Sequence, residues 1–498
     1  MSSPTKSSYR QIVKSSSIIG GSSVINILIG IVRTKVLAVL LGPAGMGLLG
    51  VYGSITGLVS TLAGMGITSS GVRQIAEANG TGDRVRIART IIAVRRVSFF
   101  LGILGAVLLA GLSGIISQMT FENRDHTLAL AIISLTIFFG AVSGGQSALI
   151  QGMRQIRNLA ILGILGALFG TLFSIPIVYF WGMKGIPWYL VMVSAMGILT
   201  SWWYARKIQT GKITLPWKEV WTSARPLLAL GLVFMSSGLM AAATTYLIRL
   251  VVVRKLGVDA AGLYQSSWTL SSLYVGFILG AMGADFYPRL TAVAKDNEAC
   301  HKMVNEQIEI GLLMAVPGVV ATLAFATWVI GVFYSSKFAP AVEVLRWQTL
   351  GVFLRVISWP LGFLLLAKGA KRMYFMTEFA ANLVHVLLML GLVHLFELPG
   401  TGMAFFGLYV VYTILMFFCS LRLWGFSFSP TNARYISVSC IIIAAAFCAS
   451  VFLNPVVSLV LNTLLFLMLS AYCLRALLAA LGIHSAASIL ARFRARFA

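Results

Sequence analysis

Long apolar stretches follow one another along almost the whole chain, separated by short loops that carry Lys and Arg. The hydrocarbon core of a bilayer is about 30 Å thick, so a spanning helix needs about 20 mostly apolar residues. The stretches of this kind lie at 13–41, 45–67, 98–118, 127–150, 159–181, 186–204, 226–256, 261–284, 309–334, 340–367, 374–396, 400–421, 434–453 and 455–481. The pattern predicts an all-α polytopic membrane protein with about 14 transmembrane helices.

The composition excludes an ordinary soluble domain. The chain is 58% hydrophobic and 10% charged, whereas soluble domains carry about 25% charged residues. The net charge of +24 is spread over short loops rather than along one stripe, which is typical of membrane orientation and not of nucleic-acid binding. The five cysteines form no disulfide or metal-binding pattern, and no cofactor or metal is expected.

The distribution of basic residues predicts the orientation. With the N-terminus on the cytoplasmic side, the opposite loops keep little more than Arg124, Lys184, Lys255 and Lys337. Cytoplasmic loops of membrane proteins are enriched in Lys and Arg, so both termini are predicted to be cytoplasmic. The first apolar run is too long for a signal peptide and is interpreted as a retained helix.

An internal repeat is visible at an offset of 215 to 217 residues. The segment LLGPAGMGLLGVY, which starts at Leu40, matches KLGVDAAGLYQ, with Gly42 and Gly47 opposite Gly257 and Gly262. Gly152 and Gly369 match in the same way after the fourth and tenth spans. The repeat predicts two pseudo-symmetric six-helix bundles around a central cavity, at 1–222 and 223–425. The remaining residues, 426–498, then hold two extra spans and a basic tail, of which 488–497 has an amphipathic pattern.

Charged residues within apolar spans are the best candidates for a binding site, because each costs a few kcal/mol in the bilayer. Arg33 lies about nine residues, or about 13 Å, before the outer end of the first span. Arg249 is its repeat equivalent in the seventh span. Two such guanidinium groups can approach one phosphate or carboxylate from both halves. The alternative is that they snorkel to the interface or pair between helices.

Other polar residues in the spans are secondary candidates. Lys35 is about 200° around an ideal helix from Arg33, so both face one cavity only if the helix unwinds. Arg346 and Arg355 lie on opposite faces of the tenth span, and the deeper Arg355 is the better candidate. In the eleventh span, the side chains at i, i+4 and i+7 are polar and share one helix face. They are candidates for proton coupling or, equally, for a hydrogen-bond network between helices: Glu378, Asn382 and His385.

The chain resembles the Wzx-type O-antigen and polysaccharide flippases of the multidrug/oligosaccharidyl-lipid/polysaccharide (MOP) exporter superfamily. The resemblance rests on the segments VRTKVLAVLLGPAGMGLLG, QGMRQIRN and FYPRLTAVAKD, and on the repeated six-helix plan. It implies translocation of an undecaprenyl-diphosphate-linked oligosaccharide across the bacterial inner membrane, as in O-antigen and lipopolysaccharide biosynthesis. Arg33 and Arg249 would then hold the diphosphate, with Lys35 and Arg355 as secondary contacts.

Three alternatives remain open at this point. The two extra helices resemble the lipid II flippase branch, although that branch's arginine-rich first helix is not clear here. A cation-coupled multidrug exporter would need buried carboxylates, of which the spans hold few. A membrane glycan polymerase or ligase usually has a large periplasmic loop, whereas the longest loops here are predicted to be cytoplasmic. A transporter is therefore expected, with no catalytic residues, and with membrane lipids and other polysaccharide assembly proteins as partners.

Overall fold

The computed structural model describes residues 6–208 and 215–480, and almost all of them are helical. The α-helices of the described residues are α1 (Lys6–Gly64), α2 (Ile67–Thr81), α3 (Arg84–Phe121), α4 (Thr127–Gly152), α5 (Ile156–Trp181), α6 (Ile186–Ala205), α7 (Trp217–Ala292), α8 (Asn297–Phe333), α9 (Ala341–Ala367), α10 (Lys371–Trp424), α11 (Pro430–Phe452) and α12 (Pro455–Ala480). A 3-10 turn at Gly182–Gly185 joins α5 to α6, and another at Ser336–Phe338 precedes α9. The predicted all-α class is confirmed.

Three of these helices contain a residue with non-helical backbone angles, which divides each into two arms. The residues are Gly42 in α1 (φ 64°, ψ −168°), Gly257 in α7 (φ 88°, ψ 175°) and Glu397 in α10 (φ 52°, ψ −128°). A positive φ costs little at glycine, which has no Cβ. The arms of α1 overlap the first two predicted spans, and those of α7 and α10 overlap two later pairs.

The length and apolarity of the helices agree with a multi-pass membrane protein. Nine helices of the described residues are long and apolar enough to cross a membrane, or ten if the bent pair in α7 counts as one span. Helices with two arms, such as α1 and α10, enter this count as one each. The figure of fourteen crossings and the symmetry of the two bundles stay predictions.

The chain divides into two compact units. Unit 1 comprises Met1–Gly262 with Phe333–Ser335, and unit 2 comprises Leu263–Val332 with Ser336–Ala498. The predicted domain boundaries near residues 222 and 425 stay predictions. The amphipathic tail predicted at 488–497 lies outside the described residues.

In unit 1, α1 and α7 approach each other through backbone. A Cβ built at Gly47 would overlap the carbonyl oxygen of Val258, and one built at Gly262 would overlap that of Pro43. The repeat-matched glycines Gly47 and Gly262 therefore lie on the two sides of one contact. The absence of side chains at both positions allows the two helices to touch main chain to main chain.

In unit 2, the extra helices α11 and α12 pack as part of the same body as α8. The Asn432 amide, in the first turn of α11, donates to the backbone and side-chain oxygens of Asn305 in α8 at 2.8 and 2.9 Å. The Asn305 side chain also accepts from the backbone amide of Ser429 at 2.8 Å, which fixes the N-terminus of α11. Apolar residues of α11 and α12, including Ile443 and Leu469, join the unit 2 core.

Candidate functional site

A half-open cavity of about 310 Å³ lies within unit 2, between α9 and the two arms of α10. The second arm of α10 folds back along the first at Glu397, so residues about thirty positions apart share one wall. The cavity is lined by Arg355, Ser358, Trp359, Gly362, Phe363, Leu366, Tyr374, Glu378, Ala381, Asn382, Leu408, Tyr409 and Tyr412. It combines both signs of charge with aromatic walls.

Two opposite charges face this cavity without pairing directly. The carboxylate of Glu378 accepts a hydrogen bond from the Tyr412 hydroxyl at 2.5 Å. No ion pair within 4 Å joins Glu378 to Arg355, and the Arg355 guanidinium has no protein partner among the described residues. The charges of both residues act on the hydroxyl of Tyr409, which lines the same cavity. The guanidinium of Arg355 is therefore free to bind an anionic or oxygen-rich group.

The stripe predicted on the eleventh span divides between the cavity and the core. The Asn382 amide donates to the backbone carbonyl of Glu378 at 2.8 Å, and both side chains line the cavity. His385, one turn further, is only 6% exposed and packs near the ring of Phe405. Its Nε2 is buried and has no hydrogen-bond partner in the described part of the chain. The structure thus brings two of the three residues together and buries the third.

The aromatic lining of the cavity did not stand out in the sequence. Tyr374, Tyr409, Tyr412 and Trp359 supply flat apolar faces and hydrogen-bonding groups, as in many small-molecule sites. The rings of Tyr409 and Tyr412 lie 6.2 Å apart, edge to face. Their spacing of three residues on one helix face was the available signal. It was inconspicuous in a chain with 15 tyrosines.

The cationic residues predicted in the first and seventh spans lie in unit 1, and none of them lines this cavity. Arg33 is half-buried in the first arm of α1, where its charge acts on the hydroxyl of Tyr189 in α6. The ammonium of Lys35 donates to the backbone carbonyl of Tyr334. Arg249 is half-buried in the first arm of α7. Their role as anion ligands stays a prediction.

Two further arginines, the candidate Arg346 and the neighbouring Arg254, take more ordinary positions. Arg254 lies 3.8 Å from the carboxylate of Glu122, and both side chains are substantially exposed, as expected for an interfacial residue. Arg346 is half-buried on α9 but does not line the cavity that Arg355 reaches. Within residues 6–208 and 215–480, no group of three or more His, Cys, Asp or Glu side chains is arranged to hold a metal ion.

Comparison with known proteins places the chain in a family. The model of the family described as "Polysaccharide biosynthesis protein" matches residues 36–343. The lipid III flippases of Escherichia coli (strain K12) and Shigella flexneri are each 23% identical to the chain over 399 residues. Those alignments cover 78% of this chain and 94% of either relative.

Solved structures show the same fold. The lipid II flippase MurJ, in its inward closed conformation, superposes with a TM-score of 0.71 at 14% identity, covering 92% of this chain and 98% of that one. An inward-facing multidrug resistance MATE family transporter of the MOP superfamily superposes with a TM-score of 0.68 at 15% identity, covering 84% and 96%. The resemblance predicted from the sequence is thereby confirmed. The chain belongs to the polysaccharide biosynthesis protein family and has the fold of the MOP exporter superfamily.

Proposed function

We propose that this protein is a flippase that moves a polyprenyl-diphosphate-linked oligosaccharide across the bacterial inner membrane by alternating access. The observation that carries the proposal is family membership over residues 36–343. The two relatives named as lipid III flippases, which align over 78% of this chain, support a lipid-linked cargo. The cargo would pass from the cytoplasmic to the periplasmic leaflet, as an undecaprenyl-diphosphate-linked repeat unit of O-antigen or a related surface glycan.

The cationic residues fit the charged part of such a cargo. A lipid diphosphate is anionic, and a guanidinium group can bind phosphate oxygens in a bidentate manner. We assign the diphosphate to Arg33 and Arg249, both half-buried in helices long enough to span the membrane. Lys35 is a secondary contact, because one of its donors is already engaged by a backbone carbonyl of unit 1.

The cavity of unit 2 fits the sugar part. Sugar rings present hydroxyl groups and flat apolar faces, which suit the Tyr and Trp side chains described above. Arg355 projects an unpaired guanidinium into the same space and is the further secondary contact. The polyprenyl tail needs no protein cavity, because it can remain in lipid.

The candidates for coupling transport to proton movement lie in or beside the same cavity. Glu378 is the acidic residue among its lining and is held by the Tyr412 hydroxyl, so a change in its protonation would alter the wall of the cavity. Asn382 and His385 continue the same helix face, with His385 enclosed in the core. A flippase driven only by its cargo gradient would need none of these residues to titrate.

The alternatives fit the cavity less well. A multidrug exporter of organic cations would need an uncompensated carboxylate, whereas Glu378 shares its cavity with the cationic Arg355. The likeness to a MATE transporter, at 15% identity, concerns the fold. The likeness to MurJ, at 14% identity, also concerns the fold. A lipid II-type precursor remains the second candidate cargo, because the two extra helices of this chain resemble the lipid II flippase branch.

The decisive experiment combines deletion of the gene with complementation. Arg33 and Arg249 would be replaced singly by Ala and by Lys, with Arg254→Ala as a matched control in the same arm of α7. We expect the deletion strain to lack long surface polysaccharide and to accumulate lipid-linked oligosaccharide in the cytoplasmic leaflet. Both Ala variants should fail to complement at normal membrane levels, while the control should complement.

The other outcomes separate the alternatives. Normal polysaccharide in the deletion strain would refute the proposed cargo, and lysis on depletion would favour a peptidoglycan precursor. Full activity of every Arg33 and Arg249 variant would show that these arginines are structural. Turnover of a lipid-linked donor by the purified protein would establish the polymerase or ligase alternative.

A further inference from the structure

A second cavity, in unit 1, has a different chemical character from the one in unit 2. It has a volume of about 290 Å³ and lies between α3, α4 and the end of α6. Its lining consists of Arg95, Phe99, Val142, Gln146, Trp202 and Arg206. Two of these six side chains are cationic and none is acidic. A cavity with that balance favours an anion.

The two arginines have capacity left for a ligand. Arg95 donates to the backbone carbonyl of Ala205 over 3.5 Å, which is the long limit of a hydrogen bond. Arg206 stacks on Trp202 and Trp203, with its guanidinium carbon 4.7 and 3.6 Å from the ring centroids. Stacking orients a guanidinium group but leaves its in-plane N–H donors unused. Neither arginine takes part in an ion pair among the described residues.

The buried polar group of the cavity adds a further donor. Gln146 is only 8% exposed, and its side-chain oxygen accepts from the Ser201 hydroxyl at 2.6 Å. The amide N–H groups of Gln146 are then its donors available to a ligand. Three donors, on Arg95, Arg206 and Gln146, thus converge on one space.

The position of the cavity along the helices corresponds to the headgroup region of a bilayer. Arg95 lies eleven residues, or about 16 Å, from the start of α3, whose 38 residues exceed the bilayer core in length. Three exposed tryptophans lie around the cavity: Trp202 lines it, Trp203 stacks on Arg206, and Trp217 lies 4.9 Å from the guanidinium of Arg96, the residue after Arg95. Clustered exposed tryptophans are typical of the membrane interface.

An apolar track leads away from the cavity along α3. Phe99, Ile103 and Val107 are exposed and recur every four residues, so they share one helix face. Phe99 belongs to the cavity, and the other two lie one and two turns further along the helix. An amphipathic ligand could therefore place an anionic head among the arginines and its chains along this face.

We infer that the cavity formed by Arg95, Gln146, Trp202 and Arg206 binds the phosphate of an anionic membrane phospholipid such as phosphatidylglycerol. Basic pockets between transmembrane helices on the cytoplasmic side suit lipid phosphates. A zwitterionic lipid fits less well, because its ammonium group would find no carboxylate in the lining. The inference does not rest on the proposed transport activity.

Native mass spectrometry of the purified full-length protein tests the site, with phosphatidylglycerol, phosphatidylcholine and phosphatidylethanolamine as probes. Arg95→Gln and Arg206→Gln should each weaken retention of phosphatidylglycerol by about tenfold, because each removes a charge-assisted contact. Arg86→Gln removes the same charge from an exposed position of α3 outside the cavity and is the matched control. It should retain the lipid as the wild type does.

A further variant keeps the test valid if Arg95→Gln and Arg206→Gln fail to fold. Val142→Glu places a carboxylate beside both arginines, so it should satisfy them internally and displace the lipid without leaving a charge unpaired. Equal retention of phosphatidylglycerol and phosphatidylcholine by the wild type would overturn the inference. Unchanged retention by folded Arg95→Gln and Arg206→Gln proteins would also overturn it.

Competition experiments identify the occupant. Inorganic phosphate at millimolar concentration should not displace phosphatidylglycerol, because it cannot use the apolar track. Displacement by phosphate would show a site for a free anion instead. Displacement by a polyprenyl phosphate at equal concentration would assign the cavity to the transported lipid and would contradict a phospholipid site.

Discussion

The helical hairpin α5–α6 in unit 1 and the two-armed helix α10 in unit 2 have the same turn but different chemistry. Gly182 and Glu397 stand 215 residues apart and have nearly identical backbone angles, φ 52° with ψ −133° and ψ −128°. At offsets of 215 to 217, however, the positions that match Arg355, Glu378 and Tyr412 fall at 138–140, 161–163 and 195–197. Those nine positions hold only Phe, Ile, Leu, Gly, Ala and Met.

The difference separates a feature that the two matched segments share from one that only the second segment has. The backbone turn occurs in both copies, so it belongs to the framework. The charged, tyrosine-lined cavity occurs in one copy, at a cost of a few kcal/mol for each charge placed in a span. Such residues in membrane helices usually serve function, which makes the α9–α10 cavity a specialised part of unit 2.

The main-chain contact between α1 and α7 should be the part of the molecule most sensitive to substitution. Val at Gly262 or at Gly47 would press a side chain into opposing backbone, which cannot move aside as a flexible side chain can. We expect either variant to lose about 3 kcal/mol of stability, measured as earlier thermal unfolding of the purified protein by tryptophan fluorescence. The two losses should be equal because the glycines lie across one contact.

Gly53→Ala in the second arm of α1 is the control for this prediction. A Cβ there meets open space, and Ala is the better helix former, so stability should stay level or rise by up to about 1 kcal/mol. Wild-type stability of Gly262→Val would mean that the backbone contact between α1 and α7 is not formed in the protein.

The cavity should respond next, and in function rather than in stability. Arg355→Ala should reduce surface polysaccharide about ten- to a hundredfold, as expected for loss of one charged hydrogen-bonding partner of the cargo. Phe138→Leu, at the matching position of α4, should leave it unchanged. The measurement is glycan length and amount in a complemented deletion strain at equal membrane levels. An equal loss of surface polysaccharide in Arg355→Ala and Phe138→Leu would contradict a special role of the α9–α10 cavity.

Substitutions at the turn residues Gly182 and Glu397 should have the smallest effect on stability, and the two effects should have opposite signs. Glu397 has a positive φ that is unfavourable for a residue with a Cβ, so Glu397→Gly should raise stability by about 1 kcal/mol. Gly182→Ala should lower stability by a similar amount, although a Cβ there would meet no other atom. Both would be read as shifts in thermal unfolding of the purified protein. Shifts of the same sign would contradict a shared turn.

The sequence anticipated those features that depend on local spacing. The offset between the glycine motifs pointed to Gly42 and Gly257, and the structure has a kink at each. The spacing of Glu378 and Asn382 placed both on one helix face, and both line one cavity. In each case the structural feature depends on residues a few positions apart, or on a motif that the sequence repeats.

Features that depend on tertiary packing were not predictable in this way. Tyr412 meets Glu378 across 34 residues, because α10 folds back at Glu397. The break between the spans at 374–396 and 400–421 predicted this turn, but not which side chains of the two arms would meet. His385 fits the polar stripe by spacing, yet packing against Phe405 encloses it. Arg95 and Arg206 come together through the packing of α3, α4 and α6, since they are more than a hundred residues apart.

The main-chain contact between α1 and α7 also has a genetic consequence. When two side chains meet, an enlarged residue on one side can be compensated by a smaller residue on the other. Here the atoms opposite Gly262 belong to the Pro43 carbonyl, and its repeat counterpart Gly47 is already glycine, so no local second-site change can make room. Selection for suppressors of Gly262→Ala should therefore recover true revertants, or changes that shift a whole helix, and no compensating substitution at the contact.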